Sequence, residues 1–328
     1  MQQHIGKFFG ALSAVIFLGY LLAIYWSVEP DKFDVVARAT QQAQNNNEQV
    51  VTGYVTTNTL ISVSETLLNK PGGYLSNDML PPSVIMDNMP AWEYGALEMI
   101  RDLALSMRKD FSRSQSQSTE HQALKMAQPQ FNISSTAWAW PSAEGEYQAG
   151  IDYLKEYRAK IASTSERDSQ FYARADNLRG WLKEAEKRLG SLSQRLSASV
   201  GQDRMNTDLA GDSAANQATY APSHSEIKTS WWKIDDVFYE SRGASWALLH
   251  FLKAVEHDFS DVLAKKNATV SLQQIIRELE ATQETVWSPV ILNGSGFGLV
   301  ANHSLVMANY ISRANAALIE LSELLAQG

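Results

Sequence analysis

Histidines and a glycine-rich turn are the first places to look for chemistry. His250 and His257 are seven residues apart and so share one helical face, with Glu256 and Asp258 nearby. Metal ligation prefers two histidines at i and i+4, or a histidine with a carboxylate three or four positions away. Both histidines stand two positions off the apolar stripe, so they read as exposed or partly buried side chains, not as ligands. His303 is no better supported. The segment NGSGFGL, Asn293 to Leu299, could offer amides to a phosphate at the start of a helix. It lacks the Lys and Ser/Thr of a P-loop and no strand leads into it, so it reads as a tight interhelical turn. There are no cysteines, which removes thiol catalysis, thiolate zinc sites, iron–sulfur clusters and disulfides together.

Glu240 and Ser241 form the kind of pair that lytic transglycosylases carry at their catalytic acid. That family's glycine-rich partner follows soon afterwards. Here the nearest candidate, Gly294 to Gly298, is more than fifty residues away in the wrong context. A lone carboxylate could serve as a general acid only if burial raised its pKa. Trp92, Trp138, Trp140 and Tyr147 could form a platform for a sugar or peptide, but such residues more often pack a core or a domain interface. Four N-x-S/T sequons, at Asn132, Asn267, Asn293 and Asn302, matter only in a eukaryotic secretory pathway. No catalytic residue, cofactor or metal is assigned.

The elements that would position any site begin with an anchor. Phe8 to Val28 holds no charged residue, and its twenty-one residues span about 31 Å as a helix, close to the hydrocarbon thickness of a bilayer. Tyr25 and Trp26 suit the interfacial belt. A cleaved signal peptide would have a shorter apolar run ending in small residues, whereas this one ends in Ile24, Tyr25, Trp26. Lys7 precedes the segment while Glu29, Asp31 and Asp34 follow it, which puts the N-terminus in the cytoplasm and the body outside. The expectation is a single-pass signal anchor over residues 1–28, with too little cytoplasmic chain for an output module.

The body is acidic. Lys7 is the single Lys, Arg, Asp or Glu before Glu29, so a net charge of −8 becomes −9 beyond the anchor, 27 basic against 36 acidic residues. That balance argues against nucleic acid and against a polybasic contact with anionic lipid. Residues 29–49 are amide-rich and predict a polar stalk or weak helix. Residues 50–198 predict a helical region, although Val50 to Leu68 is rich in β-branched residues that favour strand. Within it Lys70 to Gly95 forms a long turn-rich loop with Pro71, Pro81, Pro82 and Pro90. From Phe171 to Leu196, through Ala175, Leu178, Leu182, Ala185, Leu189 and Leu192, apolar residues recur with spacings of four and three. This predicts coiled-coil-like packing, either inside the chain's own bundle or against another chain. Residues 199–230 carry few large apolar side chains and predict a flexible linker. Residues 231–328 predict a C-terminal helical region that packs on the first, with stripes at Leu248–Val262, Leu272–Val286 and Met307–Leu325. The fold class is all-α: one transmembrane helix plus a helical bundle.

Long, unusual words of sequence carry a resemblance: KPGGYLSND (Lys70 to Asp78), DNMPAWEYG (Asp87 to Gly95), DFSRSQSQS (Asp110 to Ser118) and WWKIDDVFYESRGASWALLHFL (Trp231 to Leu252). In these the chain resembles a proteobacterial family of inner-membrane proteins, the domain of unknown function with family number 2333. The resemblance implies a Gram-negative source, an inner-membrane location and a periplasmic body. It implies no activity or catalytic residue. The expected function is a membrane-tethered scaffold or adaptor, with an envelope protein partner or self-association through the heptad seams. Its expected contact surface is Tyr74, Asp78, Asp87 and Trp92 in the long loop together with Arg113, Gln115 and Gln117. An envelope enzyme acting on peptidoglycan or another glycan through a carboxylate acid is the alternative, and a periplasmic ligand-binding module the third. Enzymatic activity stays open, with the balance against it.

Overall fold

Why the chain is helical almost throughout is visible from its first turn. The computed structural model describes residues 2–114, 119–163, 169–205 and 224–327. Helix α1 (Gln2–Trp26) carries the uncharged apolar run, is long and apolar enough to cross a bilayer, and buries none of that length in the body. The chain then turns into the body within a few residues. Arg242 donates from Nε and Nη2 to the Glu29 carboxylate (2.9 and 2.7 Å), and Phe33 stacks on His250 with ring centroids 4.1 Å apart. Asp34 caps α2 (Val35–Asn46) by accepting from the amides of Val36 and Ala37. The amide-rich segment is therefore a helix docked on the body, with Val35, Ala39 and Ala43 buried at intervals of four.

Helix α3 (Tyr54–Asn69) forms despite its β-branched residues because every residue from Tyr54 to Ser64 is buried. A helix enclosed on all sides is stabilised by packing, which outweighs intrinsic strand preference. Its hydroxyls bond back into the helix: Thr57 to the Gly53 carbonyl (2.7 Å) and Ser64 to the Leu60 carbonyl (2.8 Å).

The centre of the bundle is a parallel pair, α4 (Asn88–Ser106, continued by a π-turn over Met107–Phe111) and α8 (Ile234–Asp258). The two run together from Trp92 against Gly243 to Phe111 against Phe259. Gly95 and Gly243 allow the approach. A Cβ on Gly95 would lie 2.0 Å from the Glu240 carbonyl oxygen, and one on Gly243 would lie 1.9 Å from that of Trp92.

Around this pair stand α5 (Gln122–Gln130), α6 (Ala143–Ala162), α7 (Ala175–Ser197), α9 (Ser260–Lys265), α10 (Thr269–Ala281) and α11 (His303–Ala326). Helix α7 starts at Ala175, so Phe171 packs from an extended segment instead of a helical turn. The α7 stripe from Leu178 to Leu196 is buried within the chain, chiefly against α11. The stripes of α10 and α11 are buried likewise. The segment expected as a linker contains a short antiparallel ribbon, β1 (Gln202–Met205) with β2 (His224–Ile227), and its middle lies outside the described residues.

Helix direction sorts the loops. Thr56 meets Asp258, Arg195 meets Glu240, and Thr282 meets Arg242, so α3, α7 and α10 run opposite to α8, towards the end where α1 joins. The long connections 70–87, 131–142 and 282–302, and the described ends of a fourth at 198–205 and 224–233, gather at that end, proximal to α1.

Candidate interaction surface

Of the seven residues expected to share one contact surface, the five that are described do not share one. Asp87 precedes α4 and Arg113 follows its π-turn, and the nineteen residues of α4 alone separate them by about 28 Å. Gln115 and Gln117 lie outside the described residues. Tyr74 and Trp92 are core side chains, a correction with a simple cause: an aromatic ring among turn residues still gains most by burial. Tyr74 packs edge-on against Tyr147 at 5.5 Å and donates its hydroxyl to the Ser135 carbonyl (3.0 Å). Trp92 packs on Trp246 at 5.2 Å. Asp78 is half-buried in a cleft with Trp26, Met79 and Trp138. Asp87 is exposed and accepts the Asn88 amide as the cap of α4 (3.0 Å). Nearby, Asp236 is pushed above the usual carboxylate range by burial and then by Asp87 and Asp235.

The long loop is organised from within by a pair that spacing did not reveal. Lys70 Nζ lies 2.6 Å from Glu93 Oε1, with both side chains wholly buried. The carboxylate also accepts the amides of Leu75 (2.9 Å) and Ser76 (2.8 Å), while Lys70 donates to the Gly73 carbonyl (2.7 Å). Burial raises the Glu93 pKa against the opposing pull of Lys70. Asn77 fastens the loop to the α5–α6 connection through the Ala137 carbonyl (2.8 Å) and Glu144 (2.6 Å).

Each residue weighed for chemistry has a structural partner. Glu240 is held by the Arg195 guanidinium (2.8 Å from Nη1), and Ser241 donates to the Val237 carbonyl. His250 was expected to be exposed or partly buried and is instead buried. It accepts the Phe33 amide at Nε2 (3.1 Å) and donates from Nδ1 to the Trp246 carbonyl (2.7 Å), so burial holds its pKa down to about 4. His257 pairs with Asp258 (3.3 Å), and His303 accepts the Leu292 amide (3.1 Å). Among the described residues no three His, Asp or Glu side chains are placed to hold a metal. The glycine-rich turn is closed at its base by Asn293 and Asn302, with the Gly294 amide donating to the Ala301 carbonyl (2.9 Å). A surface groove of about 460 Å³ between α4, α7 and α8 is lined by Glu98, Arg188, Arg195 and Glu240, which pair with one another or with Asp102.

What sequence reasoning missed is an apolar end. Trp138 and Trp140 are exposed, whereas Trp92 and Tyr147 are buried, so the four form no common platform. Beside Trp138 stand exposed Met79 and Leu80 of the long loop, in which Ile85 is exposed as well. Trp231 and Trp232 are exposed where α8 begins, as are Trp287, Phe297 and Leu299 between α10 and α11. Among the described residues beyond α1, every large apolar side chain more than half exposed lies at the end of the body where α1 joins, Val270 excepted. A signal was available: apolar residues in turn-rich segments have no periodic stripe to join.

No curated protein and no solved structure matches the chain. A family described as an uncharacterized protein conserved in bacteria, DUF2333, matches residues 2–328. With that match spanning nearly its whole length, the chain belongs to this bacterial family.

Proposed function

We propose that this protein is a membrane-tethered scaffold or adaptor of the bacterial cell envelope, acting through protein–protein contacts. In this reading α1 is fixed in the inner membrane with its N-terminus in the cytoplasm, and the helical body stands in the periplasm. One observation carries it. Among the described residues the buried Lys, Arg, Asp, Glu and His side chains are Lys70, Glu93, Arg158, Arg242, His250 and Asp258, and each has an internal partner. Enzymes place perturbed ionisable groups in open clefts, where substrate can reach them. Here the fully buried ones knit the interior instead.

The test is photo-crosslinking in intact cells, with a photoreactive residue at Asp87 or at Arg113 of the full-length protein and the anchor alone as control. The expected result is one envelope protein captured stoichiometrically by the body from one of these two ends and not by the anchor. Capture of no protein from either end overturns the adaptor reading. Single-site labelling from the periplasmic side, at Val270 and at Gln3, checks the orientation: reaction at Gln3 and not at Val270 reverses it.

A further inference from the structure

The exposed apolar side chains at the anchor-proximal end are too many and too clustered for an ordinary wetted surface. We infer that this end of the body is itself seated in the bilayer, its loops entering the headgroup and upper acyl region around the exit of α1. This rests on the reading that α1 is inserted.

Position argues for lipid as the occupant. Trp26, the last residue of α1, shares a cleft with Met79, Leu80 and Trp138, and a Cβ on Gly72 would lie 2.7 Å from its ring. On the other side Ser27 to Lys32 border Thr285 and Val286, next to Trp287. Glu29 is clamped by Arg242, so no slack separates the helix end from these loops. A spanning helix puts Trp26 at the interface, and the short, clamped connection brings the loops to the same depth.

Composition agrees. Of nine tryptophans, Trp138, Trp140, Trp231, Trp232 and Trp287 are exposed at this end. An indole with an apolar body and one polar N–H is the side chain that favours the membrane interface. The loops also present Leu80, Ile85, Phe297 and Leu299. Charge then defines the kind of contact. Asp31, Asp78, Asp87, Asp235 and Asp236 lie at this end with Lys32 and Lys233. Such a surface has no polybasic attraction to anionic lipid, so the seat is apolar and insensitive to salt.

The absence of cysteine makes the experiment direct. Single replacements Leu80→Cys, Trp140→Cys and Leu299→Cys, with Val270→Cys at the far end and Leu18→Cys in the anchor, are spin-labelled in the full chain. The protein is reconstituted in vesicles of phosphatidylcholine and phosphatidylethanolamine, and collision with oxygen is compared with collision with a water-soluble nickel chelate. The expected result is oxygen in excess at 18, 80, 140 and 299 and the reverse at 270. The pattern persists at about 1 M salt, where the Debye length is about 3 Å. Nickel in excess at 80, 140 and 299 with oxygen in excess at 18 overturns the inference and leaves the tether reading standing. Nickel in excess at 18 as well overturns both. Spin–spin broadening at 80 and 140 assigns the surface to a second copy, and burial that requires anionic lipid makes it electrostatic. Either result also overturns the inference.

Discussion

Lys70 and Glu93 meet at 2.6 Å with neither side chain open to solvent, and through them the start of the long loop is tied to the second turn of α4. Breaking such a pair leaves an unmatched buried charge, whereas replacing both partners by apolar groups removes the desolvation cost as well. Glu93→Ala is therefore expected to destabilise the protein by about 3–5 kcal/mol. The double change Lys70→Met, Glu93→Leu removes the unmatched charge but recovers only part of that loss, because the amides of Leu75 and Ser76 lose their acceptor. Urea midpoints of the detergent-solubilised variants measure both.

The α4–α8 contact gives a second prediction. A methyl group at Gly95 or Gly243 meets a backbone carbonyl of the facing helix at about van der Waals-forbidden range, and a backbone has no rotamer in which to retreat. Gly243→Ala is expected to force the helices apart and to lower stability by about 1–3 kcal/mol or more. Gly180→Ala, on the open surface of α7, is the control: no neighbour obstructs its Cβ, and it is expected to raise stability by about 0.5–1 kcal/mol. A loss at Gly180 equal to that at Gly243 would defeat the steric account.

His250 imposes a pH dependence. Its folded pKa of about 4 lies below the ordinary value of 6.5, through burial first and then through the cations Lys253, Arg38 and Lys32. The unfolded chain therefore takes up a proton first as pH falls. The stability from the neutral, buried ring is complete above pH 6.5 and is lost on the way down to about 4. The size is about 3 kcal/mol. Denaturation of wild type and His250→Asn across this range is expected to show that slope in wild type alone.

Arg242 fixes the junction between α1 and the body, holding Glu29 and the carbonyls of Thr282 and Glu284 (2.9 and 2.8 Å). Arg242→Ala is expected to open residues 27–33 to protease in reconstituted vesicles. Arg242→Lys keeps the charge without the planar fork and gives partial protection. Equal resistance of wild type and Arg242→Ala would mean that the junction is held elsewhere.

The stripes of α7, α10 and α11 were legible because four-three spacing of leucines and isoleucines is a direct image of one buried helix face. Helix α2 is faint in the sequence. Its buried face consists of Val35, Ala39 and Ala43, side chains so small that the surrounding Gln and Asn residues dominate the composition. Local propensity misdirects at α3, where enclosure on all sides replaces a one-sided stripe. The candidate surface was only partly legible. Turn chemistry located the long loop, but Tyr74 and Trp92 face inward, and the length of α4 separates Asp87 from Arg113. The pairing of Lys70 with Glu93 has no sequence signature, since twenty-two positions of loop and helix lie between them.

The clamp between Glu29 and Arg242 also sets a range of action. A protein on a long flexible tether sweeps a volume; one joined to its anchor within three residues moves only as the anchor moves. Helix α8, the longest of the body, measures about 37 Å. With α1 inserted, its search is confined to a thin slab over one membrane face, explored by lateral diffusion and rotation. In that setting, whatever meets this protein is delivered to that slab or lives in the same membrane.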